Sequence, residues 1–425
     1  MLITRIKASN FYGINDPIEV SFTEGGEKEK IGYVNKGKER VSLISGFYGA
    51  NASGKSTVLN IIDTVARIMV SKQQEFVLAP NGIKQETVIS LPNYTIAMQK
   101  KPIVMEMDFI IEEDKYNYAV SIINEGKEIS EEVLQKNNKK IYSRKDHTIL
   151  FESNIEKNIG TLAKNIIAPK KSSFLSVILD DNSDVSVFAN IKKEIGISNL
   201  NQVKTNFCFI TDKRTVQAGQ NNLNGLFAFA INYLNSNDAQ RQNEMLGTVN
   251  SIVKYFEPSF ESLVIKKESD VNPIDKFFAF TYEAKYSNFY KNLGVTELSA
   301  GTRELIAYIG DILRILKIGG IVVYDETSKF YHPDMEIAIL NLFKDKDINK
   351  NNAQIFFSSH NHETFDLLQN DQAHILEKKN DNIVISKVSD YGVKERDNVK
   401  RIYRLGSLGG VPDTIDFSRI INNLL

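Results

Sequence analysis

One cysteine in 425 residues excludes a disulfide or a zinc framework built within the chain. Cys208 stands in Asn206-Phe207-Cys208-Phe209-Ile210, a setting for a small buried hydrophobe rather than a nucleophile. Charge of either sign is not in excess. Fifty-two Lys and Arg oppose 53 Asp and Glu, so no overall field draws the chain to nucleic acid or a membrane surface, and any such contact is local. Nowhere do about eighteen apolar residues run together. The opening Met1-Leu2-Ile3-Thr4-Arg5-Ile6 lacks a charged region followed by an apolar core, so no membrane association is expected and the expected location is the cytoplasm. Sustained apolar heptads are missing too, which excludes a long coiled coil. Tryptophan is absent, which excludes nothing. What remains is ordinary globular composition, 42% hydrophobic and 25% charged, in a chain long enough for two or three domains.

The most informative stretch is Gly49-Ala50-Asn51-Ala52-Ser53-Gly54-Lys55-Ser56, which fits the phosphate-binding pattern G-x-x-x-x-G-K-[ST] without a substitution. Glycines let backbone N–H groups close around phosphate oxygens, a lysine reaches the outer phosphates, and a hydroxyl holds magnesium. The apolar run Val41-Ser42-Leu43-Ile44 precedes it. Val58, Ile62, Val65 and Met69 follow at helical steps. Strand, loop and helix therefore come in the order the motif needs, with the helix N-terminus aimed at the anion. Nucleotide binding is expected at Gly49, Asn51, Ala52, Ser53, Gly54, Lys55, Ser56 and Thr57.

A second group lies far along the chain. Glu297-Leu298-Ser299-Ala300-Gly301-Thr302 opens an amphipathic pattern of Leu305, Ile306, Ile309, Ile312, Leu313 and Leu316. Taken alone it is a helix cap. Gly319 to Glu326 then reads as a short buried strand delivering two carboxylates to a sheet edge. Asp325 is placed to support magnesium together with Ser56, and Glu326 to orient and deprotonate an attacking water. Phosphoryl transfer to water asks mainly for positioning and charge stabilisation, so a cation, a lysine and a carboxylate suffice. Ala353 to His360 repeats the pattern, with His360 placed to sense the terminal phosphate. His147, His332, His362 and His374 read as surface or satisfied residues. His360-Asn361-His362 is not expected to ligate metal.

Elsewhere, residues 2–7, 18–22, 104–110 and 116–122 alternate like strands, and 25–40 reads as a polar hairpin or loop. Leu134 to His147 is basic, with Lys136, Lys139, Lys140, Arg144 and Lys145, and reads as a solvated loop. Residues 155–260 read as mostly helical, with Leu223, Leu226, Phe227, Ala230 and Tyr233 on one face.

The order of phosphate loop, Leu298-Ser299-Ala300-Gly301-Thr302, a strand ending Asp325-Glu326, His332-Pro333 and Ser358-Ser359-His360 resembles the ABC-type ATPases. Within them it is similar to the prokaryotic AAA family ATPases of anti-phage and restriction-linked loci, relatives of the overcoming-lysogenisation-defect ATPases and, more distantly, of Rad50 and structural-maintenance-of-chromosomes heads. Lys171 to Ser176 and Arg404 to Pro412 also resemble that group. The resemblance implies an α/β fold: an ABC-type ATPase head, a mixed sheet flanked by helices, built from 1–125 and 291–425, with an inserted, mainly helical recognition domain over 126–290. It implies a homodimer, or a higher homo-oligomer, in which Ser299 and Gly301 of one subunit close over ATP and Mg2+ held by Lys55 and Ser56 of the other. Asp334 would face the opposite subunit and His360 would be the switch histidine. Ala300 and Thr302 depart from the Gly and Gln usual in transporter ATPases. Gln85 and Gln99 are the candidates for a glutamine of the magnesium shell.

The expected function is an ATP-hydrolysing sensor in anti-phage defence, triggered by a phage protein or nucleic acid and controlling a nuclease or toxin effector. The 65 residues after His360 are too few for an appended nuclease domain, so the effector is expected on a separate chain. The alternative from another class is a repair or structural-maintenance ATPase that clamps DNA, which a heptad arm or a basic stripe would favour. A module that loads ATP without hydrolysing it is a third reading.

Overall fold

The structure is a computed structural model, and it describes residues 1–26, 28–70, 73–79, 82–88, 100–123, 128–159, 168, 170–179, 192, 200, 207–210, 239–267, 280–294, 297–327, 332–394 and 396–411. Its first strands are β1 (Leu2–Ser9), β2 (Ile18–Ser21), β3 (Thr23–Gly25), β4 (Tyr33–Lys36), β5 (Glu39–Ser42) and β6 (Ile44–Tyr48), followed by helix α1 (Lys55–Val70). The hairpin β7 (Gln73–Ala79) and β8 (Gly82–Val88) comes next, then β9 (Ile103–Ile111), β10 (Asp114–Ile123), β11 (Glu128–Lys136), β12 (Lys139–Lys145) and β13 (Thr148–Phe151). Helices α2 (Ser153–Ile159) and α3 (Phe174–Ile178) precede β14 (Phe207–Ile210). The rest runs α4 (Ala239–Phe256), β15 (Phe260–Lys267), β16 (Phe280–Tyr286), β17 (Leu293–Gly294), α5 (Ala300–Ile318), β18 (Ile321–Tyr324), α6 (Pro333–Lys344), β19 (Gln354–Ser358), β20 (Ala373–Lys379), β21 (Asn382–Lys387) and α7 (Val399–Arg404).

Two sheets dominate. One is antiparallel throughout, in the order β13-β12-β11-β10-β9-β1-β2. The other has the order β14-β18-β19-β6-β20-β21 and is parallel except for its last pair. Helix α1 lies between them, touching β1 and β9 on one side and β18 and β19 on the other. That explains why its buried residues extend beyond the single stripe of Val58, Ile62, Val65 and Met69 to Leu59, Asn60, Ile61, Asp63, Thr64, Ala66 and Ile68. The strands of the parallel sheet are covered on both faces. Val323 and Phe356 enter the core around α1, while Val322, Tyr324 and Phe357 enter the core under α5, α6 and α7.

Three expectations change. The boundary at 125/126 cuts through the antiparallel sheet: residues 128–151 are strands that continue it, β11 pairing with β10 from Tyr116↔Lys136 to Ile123↔Glu128. The basic stretch is strand β12, not a solvated loop, and Arg144 is 2% exposed. Its guanidinium donates to the Asp146, Ser172 and Ile129 carbonyls at 2.8, 2.8 and 3.1 Å, and lies 3.5 Å from buried Glu132. A cation so completely bonded is tolerated inside. Residues 207–210, expected in a helical segment, form the edge strand of the parallel sheet, Cys208 pairing with Val322. A short Phe-Cys-Phe-Ile run suits a buried strand and a buried helix turn equally, so length and pattern alone do not separate them. Residues 25–40 are held in the small sheet β3-β5-β4, with Tyr33 buried and its hydroxyl on Asp371. The helical face Leu223 to Tyr233 lies outside the described residues.

His374 is fully enclosed, stacked on Phe47 at 4.9 Å and edge-on to Phe22 at 5.8 Å, and neither ring nitrogen has a hydrogen-bond partner among the described residues. Burial, with Lys387 adding to it, lowers its pKa to about 3. The unfolded chain takes up a proton below the ordinary value of 6.5 while the folded chain does not, so this site costs stability as pH falls from about 6.5 towards 3. His374→Phe should therefore raise the melting temperature and remove a loss on the order of 2 kcal/mol between pH 7 and pH 5. Thermal and urea melts at the two pH values check it; an unchanged acid slope would contradict it.

Candidate functional site

The loop between β6 and α1 is built so tightly that side chains are excluded at two points. A Cβ on Gly49 would stand 2.5 Å from the Leu376 carbonyl oxygen, and one on Gly54, where φ is +105°, 2.4 Å from Ile383 Cδ1. Ala52 adopts a left-handed φ of +63°. Asn51 and Ala52 are exposed, whereas Ser56 and Thr57 are half-buried in the first turn of α1. Lys55 is 6% exposed, and its Nζ donates to the carbonyls of Gly49 at 2.8 Å and Ala50 at 3.0 Å. No carboxylate pairs with it at bonding distance among the described residues. Ser53 Oγ is buried and has no hydrogen-bond partner among the described residues. An ammonium satisfied only by carbonyls, an unused hydroxyl and a helix N-terminus together fit an anion.

Adjacent parallel strands carry the acids to the same edge. Tyr324 on β18 pairs with Phe357 on β19, and Ser358 on β19 pairs with Phe47 on β6. Asp325 and Glu326, Ser358 to His360, and the loop starting at Gly49 therefore leave neighbouring strands in the same direction, at their carboxyl ends. Ser358 ties the acids together: its Oγ donates to Asp325 Oδ1 at 2.6 Å and accepts from Glu326 N–H at 2.8 Å. Glu326 has a φ of +58°, uncommon for a residue with a side chain. Thr327 N–H donates to the Ser358 carbonyl at 3.0 Å, and Thr327 Oγ1 bonds buried Glu336 on α6, which also accepts from Asn361 Nδ2 at 3.0 Å. Burial raises the Glu336 pKa. Burial also lowers the Lys55 pKa, opposed by Asp325 and Glu326. The His360 pKa is lowered by burial and by Lys55, again opposed by Glu326 and Asp325. Lys55, Asp325, Glu326 and His360 thus lie within electrostatic reach of one another.

Ser299 and Gly301 open helix α5. Ser299 is the N-cap of α5, its Oγ accepting from Thr302 N–H at 3.0 Å, and Thr302 Oγ1 bonds Glu257, which accepts from the Tyr286 hydroxyl at 2.7 Å. No hydrogen bond among the described residues joins this turn to the Lys55 loop. Helix α5 ends at Gly319, whose φ of +72° faces the Asn351 carbonyl, and leads directly into β18. Asp334 is exposed in the first turn of α6, beside His332 at 3.4 Å. Gln85 falls in β8 and Gln99 outside the described residues. No group of three or more His, Cys, Asp or Glu among the described residues is placed to hold a metal ion. The set of candidates read from the motifs omits Ser358, Thr327 and Glu336, whose only sequence signals are a hydroxyl at a strand end and an acid one turn after a proline. Clefts of about 490 and 270 Å³, on the antiparallel sheet around Arg5 and between β4 and α6, contain none of these residues.

Residues 223–366 match the family described as "AAA domain, putative AbiEii toxin, Type IV TA system", about a third of the chain. The matched stretch includes Ser299, Asp325, Glu326 and His360 but not the Lys55 loop. Among solved structures, the chain is similar to an Smc head bound to the C-terminal winged-helix domain of ScpA, at 12% identity and a TM-score of 0.45, covering 92% of this chain and 99% of that one. It is also similar to the SMC head domain from Thermotoga maritima, at 13% identity, a TM-score of 0.41 and coverage of 91% and 99%. A head from Pyrococcus furiosus gives 14%, 0.40, 92% and 97%. No curated protein matches the chain. No helix among the described residues is long and apolar enough to cross a membrane.

Ser358→Ala should leave the Glu326 N–H without its acceptor and lower stability by about 1–3 kcal/mol without any nucleotide present. Urea unfolding measures this, and an unchanged midpoint would contradict the bonding described.

Proposed function

We propose that this chain binds and hydrolyses ATP with magnesium, and acts as a switch rather than as a free-standing hydrolase. The observation that carries the reading is the convergence of Lys55, Asp325, Glu326 and His360 at the ends of neighbouring parallel strands. Backbone N–H groups of Asn51 to Thr57 bind the phosphates, with Lys55 leaving its carbonyls for the outer oxygens. Ser56 and Asp325 hold magnesium, which when bound supplies charge neutralisation for the phosphates. Glu326 orients the water and takes its proton, while His360 contacts the terminal phosphate.

Ser299 and Ala300 are exposed at the N-terminus of the 19-residue helix α5, which supports a role for this turn against the nucleotide of a second copy. The arrangement proposed is a head-to-tail homodimer with ATP at both joints. The family matched by residues 223–366 is described by a toxin and a toxin–antitoxin system. The role proposed for the switch is in cytoplasmic anti-phage defence, controlling a separately encoded nuclease or toxin. Residues 126–290 would carry recognition of the trigger, less the strands that belong to the antiparallel sheet.

Lys55→Ala should abolish ATP binding. Glu326→Gln should bind ATP as wild type does but release phosphate about a hundredfold more slowly. Equal phosphate release would remove Glu326 from the chemistry. Ser299→Arg should leave monomer binding intact yet prevent ATP-dependent dimerisation in light-scattering measurements; a persisting dimer would contradict the cross-subunit role.

A further inference from the structure

The glycine-rich segment after α7 packs against the first glycine of the phosphate loop. Gly406, Gly409 and Gly410 all have left-handed φ, at +76°, +70° and +70°, but their surroundings differ. A Cβ on Gly406 would meet nothing within 4 Å. One on Gly410 would stand 2.8 Å from Ile375 Cγ2, 3.2 Å from the Leu376 carbonyl oxygen and 3.4 Å from Gly49 Cα. The Leu376 carbonyl is the same group that excludes a side chain from Gly49. It therefore sits between the two glycines, and both backbones close on it.

The segment is anchored where it makes this contact. Gly410 N–H donates to Glu377 Oε1 at 3.2 Å, and the Gly410 carbonyl accepts from the buried Tyr403 hydroxyl at 3.0 Å. The Tyr403 ring lies edge-on to Tyr48, the last residue of β6, with centroids 6.4 Å apart, and Leu408 is buried in the same core. Strand end and loop start are thus gripped together, Tyr48 by Tyr403 and Gly49 by Gly410. Left-handed glycines with no steric neighbour serve a turn, whereas Gly410 is also required by close approach.

We propose that Gly410 and Tyr403 are positioning residues of the nucleotide site, fixing the backbone of Gly49 so that the loop's N–H groups face the phosphates without reorganisation. The inference rests on the ATP-binding reading above. Neither residue reaches the reacting atoms; both act through the first residue of the loop. A loop held in its binding geometry loses less entropy when the anion arrives.

Gly410→Ala and Gly406→Ala share a left-handed backbone, so their comparison isolates the packing of Gly410 against Ile375, the Leu376 carbonyl and Gly49 from the backbone strain. ATP binding to the full chain should be measured by calorimetry, with Lys55→Ala alongside. Gly410→Ala should weaken binding about tenfold and Gly406→Ala less than twofold, with kcat at saturating ATP close to wild type for both. If Gly410→Ala does not fold, Tyr403→Phe, which keeps the ring and removes the bond to Gly410, should still weaken binding about threefold without a matching loss of kcat. Equal affinities for the Gly406 and Gly410 variants, or wild-type affinity for Tyr403→Phe, would overturn the inference. Binding retained by Lys55→Ala would instead overturn the ATP-site reading.

Discussion

The parallel register of β6, β18 and β19 is the constraint on which the site depends. It brings β18 and β19 into one sheet with β6, which lies hundreds of residues earlier in the sequence, and each of the three ends in a polar group at the same edge. Buried Gln354 strengthens the arrangement where these strands begin: its side chain accepts from Ile3 N–H at 2.6 Å and donates to the Ile3 and Ser42 carbonyls at 3.0 and 2.7 Å. One amide therefore links the start of β19 to β1 and to the last residue of β5, two positions before β6 begins. A buried amide bonded in this way fixes which strands are neighbours, since a slipped register would leave its donors and acceptor unpaired.

The second structural idea is the sandwiching of α1. Because its N-terminus carries Lys55 and its flanks touch both sheets, a shift of the antiparallel sheet relative to the parallel one has to pass through this helix. The buried cluster of Glu132, Arg144, Tyr118, Tyr142 and Ser173 holds α3 to the antiparallel sheet, and α3 in turn packs on α1. Glu132 accepts from both tyrosine hydroxyls, from Ser173 Oγ and from the Phe174 N–H, so its charge is fully compensated. The Lys171 to Ser176 stretch thereby has a structural meaning: it docks the antiparallel sheet to the helix that leads from the phosphate loop.

Much of this was legible in the residues. The phosphate loop was visible because its chemistry demands glycine, lysine and hydroxyl at fixed spacing, and the strand before Asp325 because a buried parallel strand is apolar without interruption. Residues 2–7, 104–110 and 116–122 showed period-two alternation, and strands β1, β9 and β10 form there. Arg144 was hidden because sequence reports a charge but not the three carbonyls that meet it. Cys208 was legible as a buried residue, but the strand it stands on was hidden because four residues are too short to have a period. Ser358 and Glu336 were hidden because their importance is purely geometric: one bridges two strand ends, the other reaches back from a following helix.

The most direct test compares ATP affinity with and without magnesium in wild type and Asp325→Asn. If the loop at Lys55 and the acid at Asp325 grip one magnesium nucleotide, chelating magnesium weakens binding to wild type and leaves the variant almost unaffected, because the variant has already lost the protein's hold on the ion. The same magnesium dependence in both proteins would show that Asp325 and Lys55 do not share a ligand.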